Sequence, residues 1–348
     1  MPQSPAAGHE VRLEPSGHTF KVAPGETVLE AALRQGIGLP YGCRNGACGA
    51  CKGVLKSGTL EYGEYQERAL HPHEKAAGKA LTCCTRPLAD IVFEVREVSG
   101  AKDLAIRTLP ARVEKVDKPA EDVAILSLKL PAGERLQFLA GQYIDILLKE
   151  GKRRSFSMAN PPHDDRFLQL HVRKSPNGAF SGYVFDQMKE RAILRFEGPL
   201  GTFYLREDSD KPIVFVAGGT GFAPIKAMIE HCFHAGIERQ MVLYWGARSL
   251  KDLYMPELPA RWQRDHANFT FIPVLSDPLP EDHWSGRTGL VHQAVLDDFS
   301  DLSGYEVYAC GAPGMIEAAR TTFTAQRLPP DAFYADSFTY AAETETRK

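Results

Sequence analysis

Residues 41–53 read Tyr41-Gly-Cys43-Arg44-Asn-Gly46-Ala47-Cys48-Gly49-Ala50-Cys51-Lys52-Gly53. Three cysteines spaced C-x4-C-x2-C, with a further thiol downstream in Leu81-Thr-Cys83-Cys84-Thr-Arg86-Pro87, match the spacing of four thiolates around a two-iron, two-sulfur cluster. Gly42, Gly46 and Gly49, with small Ala47 and Ala50, let the backbone fold tightly around inorganic sulfide and turn its N–H groups toward the cluster's negative charge. Structural zinc also takes four thiolates, but zinc ribbons pair two C-x2-C hairpins, and here one stands alone behind a four-residue gap. Disulfides are disfavoured by the same spacing and by the compartment argued below. The residues leave the fourth ligand open between Cys83 and Cys84.

The chain around this loop has 348 residues, 43% of them hydrophobic, enough for two or three cores. A net charge of -3 offers no basic field to nucleic acid. No apolar run approaches the roughly 20 residues that cross a bilayer, so no membrane association is expected. The opening Met1-Pro-Gln-Ser-Pro-Ala-Ala lacks the basic and apolar regions of a secretory signal. Four of the seven cysteines committed to iron, beside a nicotinamide-type domain, point to a reducing cytoplasm.

Residues 9–22 alternate like strands, residues 25–36 form a short helix with Thr27 near its start and Gly36 at its stop, and residues 91–95 form another strand. Residues 1–98 are therefore a small mixed domain carrying the cysteines on a loop, followed by a linker over 99–108. Residues 109–208 hold short strands such as Val123–Leu130, Tyr143–Leu148, Leu168–Lys174 and Ala192–Gly198, separated by Gly and Pro turns, the pattern of an antiparallel barrel. Residues 209–348 alternate apolar strands with helices, the pattern of a parallel sheet with crossovers. The first few residues and the charged tail read as disordered.

Two further constellations lie in these regions. Arg154-Ser155-Phe156-Ser157 sits on a barrel strand, and Gly178-Ala179-Phe180-Ser181 opens a helix about twenty residues on. A guanidinium and a helix N-terminus together suit a pyrophosphate. By itself, the first of these motifs reads as an ordinary exposed strand. Gly218-Gly219-Thr220-Gly221-Phe-Ala-Pro224 turns from a strand into a helix and brings bare backbone to dinucleotide phosphates, although two of its glycines would serve any tight turn. Pro224 breaks the G-x-G-x-x-G pattern and argues against a Rossmann dehydrogenase. Cys310-Gly311-Ala-Pro313 repeats the strand-to-helix arrangement; Cys232, inside an apolar helix, reads as a core residue.

Together these motifs resemble the ferredoxin-NADP reductase-like iron-sulfur flavoproteins that begin with a plant-type ferredoxin domain. These include the fused reductases of multicomponent oxygenases, of the benzoate dioxygenase reductase type, and the CDP-6-deoxy-glucoseen reductases. The resemblance spans nearly the whole chain and implies a multidomain α+β and α/β fold: a β-grasp ferredoxin domain, an antiparallel β-barrel flavin domain and a parallel-sheet NAD domain. It makes Cys83 the fourth metal ligand after Cys43, Cys48 and Cys51, since Leu81-x-Cys83-x-x-Arg86-Pro87 matches the family's L-x-C-x-x-R-P. It has Arg154 hold the flavin diphosphate, Phe156 pack on the flavin, and Ser157 bond near its N5. Phe156 stands where many relatives have Tyr. The thiol of Cys310 would lie by the nicotinamide ring, which makes Ser157 and Cys310 the residues nearest the chemistry. The cofactor-binding set extends over Ser155, His171, Val172, Gly178, Ala179, Phe180, Ser181, Gly218, Gly219, Thr220, Gly221, Pro224, Gly246, Arg248, Gly311, Pro313 and Met315. Phe338, in a terminal aromatic segment, would cover the flavin unless it is a plain core aromatic. An N-terminal cluster domain implies FAD rather than FMN.

The implied function is electron transfer from NADH to FAD, then to the 2Fe-2S cluster and out to a protein acceptor, an oxygenase component or a deoxysugar dehydrase. Nicotinamide yields electrons in pairs and a cluster takes them singly, so a flavin must stand between, and the cofactors carry the chemistry without an acid-base dyad. A redox-sensing protein without turnover is the competing class, disfavoured because all three cofactor motifs persist together. Arg248 and Ser249 stand where an adenosine 2'-phosphate could meet them, but the resemblance implies NADH. Arg44, Lys52 and Arg86 around the cysteines suggest an acidic docking patch on the acceptor, and the protein is expected to act as a monomer.

Overall fold

The computed structural model describes residues 8–98 and 104–339. The segments expected to be disordered, and half of the expected linker, lie outside the described residues. Contacts divide the chain between Ala105 and Ile106 into two compact units.

The first unit runs through β1 (His9–Glu14), β2 (Thr19–Val22), α1 (Val28–Arg34), β3 (Lys52–Ser57), β4 (Leu60–Glu61), α2 (Pro72–Ala76), β5 (Lys79–Leu81), β6 (Arg86–Pro87) and β7 (Ile91–Glu94). Its main sheet has the order β2-β1-β7-β3-β5, with β1 and β7 parallel at its centre. Val11 and Leu13 alternate inward and are fully buried, as period-2 patterning requires. Helix α1 starts where a capping box says it should: Glu30 N donates to Thr27 Oγ1 at 3.2 Å and Thr27 N to Glu30 Oε2 at 2.9 Å. Between α1 and β3 the chain is a long loop without regular elements, and it carries Cys43, Cys48 and Cys51.

The second unit begins with β8 (Arg107–Ala120), β9 (Val123–Lys129), β10 (Tyr143–Leu147), β11 (Arg153–Ser157), β12 (Leu168–Arg173), α3 (Ala179–Asp186) and β13 (Ile193–Leu200). The antiparallel order is β11-β10-β13-β8-β9-β12, and a bridge between Met158 and Leu170 brings the outer strands together to close the barrel. Strand β8 begins at Arg107, inside the expected linker, because Arg107 and Thr108 already pair with Gly198 and Glu197.

The chain continues through β14 (Ile213–Gly218), α4 (Phe222–Ala235), β15 (Met241–Ala247), α5 (Glu257–Asp265), β16 (Phe269–Leu275), β17 (Arg287–Thr288), α6 (Val291–Asp298), β18 (Glu306–Gly311), α7 (Pro313–Ala325) and β19 (Phe333–Ser337). All six strands run parallel in the order β17-β16-β15-β14-β18-β19. The sheet is covered on both faces. Ile213, Phe215 and Ala217 face one core, and Val214 and Val216 face the other, so β14 reads as a continuous apolar run. Each such fully buried aliphatic side chain contributes about 1.5–3 kcal/mol.

Candidate functional site

Within the cysteine loop the thiols pair off. Cys43 N donates to Cys48 Sγ at 3.4 Å, and Ala47 N to Cys43 Sγ at 3.4 Å. Cys51 Sγ lies 3.3 Å from Cys83 Sγ. Thr82 fixes that second pair, since its N–H and its hydroxyl both donate to the carbonyl of Cys51, at 3.1 and 3.2 Å. Gly46 and Gly49 have φ of 72° and 76°, and a Cβ on Gly46 would lie 2.8 Å from Cys84 Sγ, so the loop closes only with glycine there. The side-chain contact between the two holds the Cys43 thiol down, while that contact and burial push the Cys48 thiol well up. Cys51 is likewise pushed up, by its bond to Cys83 and by burial. The arrangement as two pairs, Cys43 beside Cys48 and Cys51 beside Cys83, fits a two-iron cluster, which these residues would hold and whose iron would neutralise their charge as thiolates. Lys52 is not a free docking charge: its ammonium lies 2.6 Å from Glu74, whose carboxyl is held at about 2 by bonds from Lys52 and Lys79, against the opposing effect of burial.

Strand β11 and helix α3 bring the two flavin motifs together. Phe156 packs against Phe180 with ring centroids 5.2 Å apart. Ser157 is buried at the strand end, opposite Tyr143, and Arg154 is half-buried with Nη1 donating to the Arg153 carbonyl. Ser155 faces the other way and donates to Asp145 at 2.6 Å. Gly178 caps α3 without a side chain, which leaves the first-turn N–H groups of Ala179 and Phe180 to an incoming anion. A Cβ on Gly178 would meet Ser181 Oγ at 2.4 Å, and that hydroxyl ties the turn by accepting from Ser175 N at 3.0 Å. This cradle fits a diphosphate. Val172 lies in the barrel core with Phe180, and His171 is buried against Tyr254, with Nδ1 2.8 Å from its hydroxyl. Burial pushes the His171 imidazole down to about 3.

A cavity of about 440 Å³ opens at the C-terminal ends of β14, β15 and β18, where open parallel sheets bind ligands. Gly218, Gly219, Thr220, Gly246, Arg248, Met315 and Phe338 line it. Gly219 has φ of 53°, and a Cβ on Gly221 would lie 2.0 Å from the Cys310 carbonyl oxygen, so the turn presses directly on the neighbouring strand. Trp245 Nε1 donates to the Gly219 carbonyl at 3.0 Å. Pro224 is buried in α4, Pro313 sits in the first turn of α7, and Gly311 accepts from Phe338 N at 2.8 Å. Cys310 is fully buried in the core that also holds Tyr254 and Trp245, and burial raises its thiol well above the ordinary range.

Among the cavity residues with polar side chains, four escaped sequence reasoning: Arg173, Asp252, Ser276 and His292. Arg173 reaches over from β12, its Nε 2.7 Å from Asp122 and its Nη2 3.6 Å from Asp252, and Gly219 has no Cβ to obstruct it. Asp252 accepts from both the N–H and the hydroxyl of Ser249, each at 3.1 Å. That pairing was readable as Ser249-x-x-Asp252, a capping signature.

Three family models cover the chain: a 2Fe-2S iron-sulfur cluster binding domain at residues 11–88, an oxidoreductase FAD-binding domain at 110–204 and an oxidoreductase NAD-binding domain at 215–321. The chain is 42% identical, over 94% of its length and 98% of the relative, to the CDP-6-deoxy-L-threo-D-glycero-4-hexulose-3-dehydrase reductase of Yersinia pseudotuberculosis. It is 36% identical to reductase component 1 of a Comamonas terephthalate 1,2-dioxygenase, over 95% and 97% of the two chains. The crystal structure of the Amycolatopsis cytochrome P450 reductase GcoB matches at a TM-score of 0.78 with 35% identity, covering 96% of this chain and 99% of that one. With three cofactor cradles in this order, and a 2Fe-2S cluster, FAD and NADH as its cofactors, the chain belongs to the ferredoxin-NADP reductase-like iron-sulfur flavoprotein reductases that carry an N-terminal plant-type ferredoxin domain.

Proposed function

We propose that this reductase delivers electrons to a sugar-nucleotide dehydrase, with an oxygenase component as the second reading. The identity of 42% to a dehydrase reductase, against 36% to a dioxygenase reductase, favours that order. When bound, NADH supplies a hydride, FAD splits the electron pair, and the cluster passes single electrons on. Cys43, Cys48, Cys51 and Cys83 hold the cluster; Arg154 and the start of α3 hold the flavin diphosphate; and Ser157 orients the flavin. The turn at residues 218–221 and the start of α7 hold the dinucleotide, with Cys310 supporting that turn from beneath.

The observation that carries the outward direction is exposure around the cluster. Cys51 and Cys83 are only 2% and 9% exposed, whereas Cys43 and Cys48 are half-buried, which favours their side as the exit for electrons. Preference for NADH is supported by Asp252: its carboxylate stands in the cavity wall and engages both the Ser249 hydroxyl and the Arg248 guanidinium, the two groups a 2'-phosphate would need. We further propose a cytoplasmic monomer that stays off membranes and leaves nucleic acid unbound, as its net charge of -3 suggests. Among the described residues no helix is long and apolar enough to cross a bilayer. Its domains are residues 1–98, 109–208 and 209–348.

Purified holoenzyme with NADH should reduce ferricyanide and cytochrome c. It should also support turnover of a CDP-6-deoxy-hexulose by the dehydrase. Turnover only with a ring-hydroxylating oxygenase would transfer the assignment to the second reading, and no turnover with any acceptor would overturn both.

A further inference from the structure

Cys84 is left without a task once Cys83 is taken as the fourth ligand. Its placement is nevertheless tightly determined. The turn at residues 81–85 is closed by Cys84 N and Thr85 N, both donating to the Leu81 carbonyl at 3.0 Å, with Thr85 Oγ1 adding a third bond at 2.7 Å. On one side Cys84 Sγ faces Gly46 of the cysteine loop, against the space a Cβ would need. On the other it lies 3.5 Å from Cys83 Sγ, within range of a sulfur hydrogen bond. Cys83 in turn is committed to Cys51, since Thr82 binds the Cys51 carbonyl twice and sets the two sulfurs 3.3 Å apart. A ligand sulfur carries no proton and can only accept. Cys84 therefore supplies the hydrogen in this contact, and because only 9% of it is exposed, little water competes for the Cys83 sulfur.

We propose that Cys84 is a positioning residue whose S–H donates to the Cys83 ligand sulfur and raises the reduction potential of the cluster. The physical cause is general: a donor on a ligand sulfur stabilises the added negative charge of the reduced state more than the oxidised one. A thiol is a weak donor, so the effect is modest, about a threefold change in the ratio of reduced to oxidised cluster at a fixed solution potential. The inference rests on the reading of Cys83 as the ligand.

The test is a redox titration of the cluster in the full-length protein, followed by electron paramagnetic resonance and visible absorption. Cys84→Ala should retain the cluster with a midpoint shifted to more negative potential, whereas Cys84→Ser, which keeps a stronger O–H donor, should sit above the native value. An unshifted Cys84→Ala overturns the inference while leaving the ligand assignment standing. Retention of the cluster by Cys83→Ala together with its loss from Cys84→Ala overturns the assignment itself, and the inference with it. Should the space left by alanine hinder assembly, Cys84→Ser decides alone: a midpoint at or below the native one overturns the proposal.

Discussion

At the residue scale, Asp252 shows how a single carboxylate can set nucleotide choice. It is held in place by Ser249 and lies within 4 Å of two guanidinium groups, those of Arg173 and Arg248. Asp252→Asn keeps the shape and removes the charge, so discrimination between NADH and NADPH in kcat/KM should fall by roughly tenfold, mostly through a lower KM for NADPH. Steady-state assays with both nucleotides check this, and unchanged selectivity would remove Asp252 from the argument. The cysteines and the Gly218–Gly221 turn were legible in the sequence because their chemistry is local: ligand spacing and bare backbone lie within a dozen residues. Arg173 and Asp252 were not, because they become neighbours only after a barrel strand and a loop of the parallel sheet fold against one another. The Ser249 hydroxyl, read from sequence as open to a 2'-phosphate, is buried and already bonded.

Between elements, the contact of β12 with the segment following β15 determines how the second unit responds to acid. His171 Nε2 lies 3.3 Å from the Gln169 side-chain oxygen, which leaves Nδ1 to accept from the Tyr254 hydroxyl at 2.8 Å. Protonating Nδ1 would set two donors against each other in a buried site. Its folded value of about 3 lies below the ordinary 6.5, so the stability it contributes is complete above pH 6.5 and is lost as pH falls toward 3. The expected slope in that window is about 1.4 kcal/mol per pH unit. His163 adds to the trend. Burial and the neighbouring His234 and His231 hold its imidazole below the ordinary range, opposed by Asp164, and its ring stacks on His234 at 3.6 Å. Thermal unfolding followed from pH 7 to pH 4 should show Tm falling, and His171→Gln should flatten that fall. Elements with clean periodicity were the readable ones: α1 with its cap, the apolar run of β14, and the strands of the parallel sheet. The 14-residue β8 was hidden by charge. Leu109, Ala111 and Val113 are buried and Val116 packs partly inward, while Arg112, Glu114 and two prolines give the stretch the look of a linker.

For the whole molecule, the order of the domains separates two activities that one substitution can divide. Cys51→Ser removes a proposed cluster ligand that lies in the first unit, whereas the flavin and nicotinamide motifs lie in the second. NADH-dependent ferricyanide reduction should stay within about twofold of native, while transfer to the protein acceptor should fall by at least about a hundredfold. Equal loss of both would mean that the flavin does not reduce ferricyanide independently of the cluster. Legibility at this scale came from motif order: cysteine loop, flavin motifs and dinucleotide turn follow one another along the chain as the domains do. The surface that selects an acceptor offered no such spacing, and pairing with Glu74 removes Lys52 from the basic patch the sequence suggested. The uneven burial of the four thiols also sets how the protein ages. Cys43 and Cys48 are half-buried where Cys51 and Cys83 are buried, so peroxide should damage the first pair before the second. Mass spectrometry of partly bleached protein would then find sulfinic acid on the half-buried pair first, making cluster lifetime in air a property of that less protected edge.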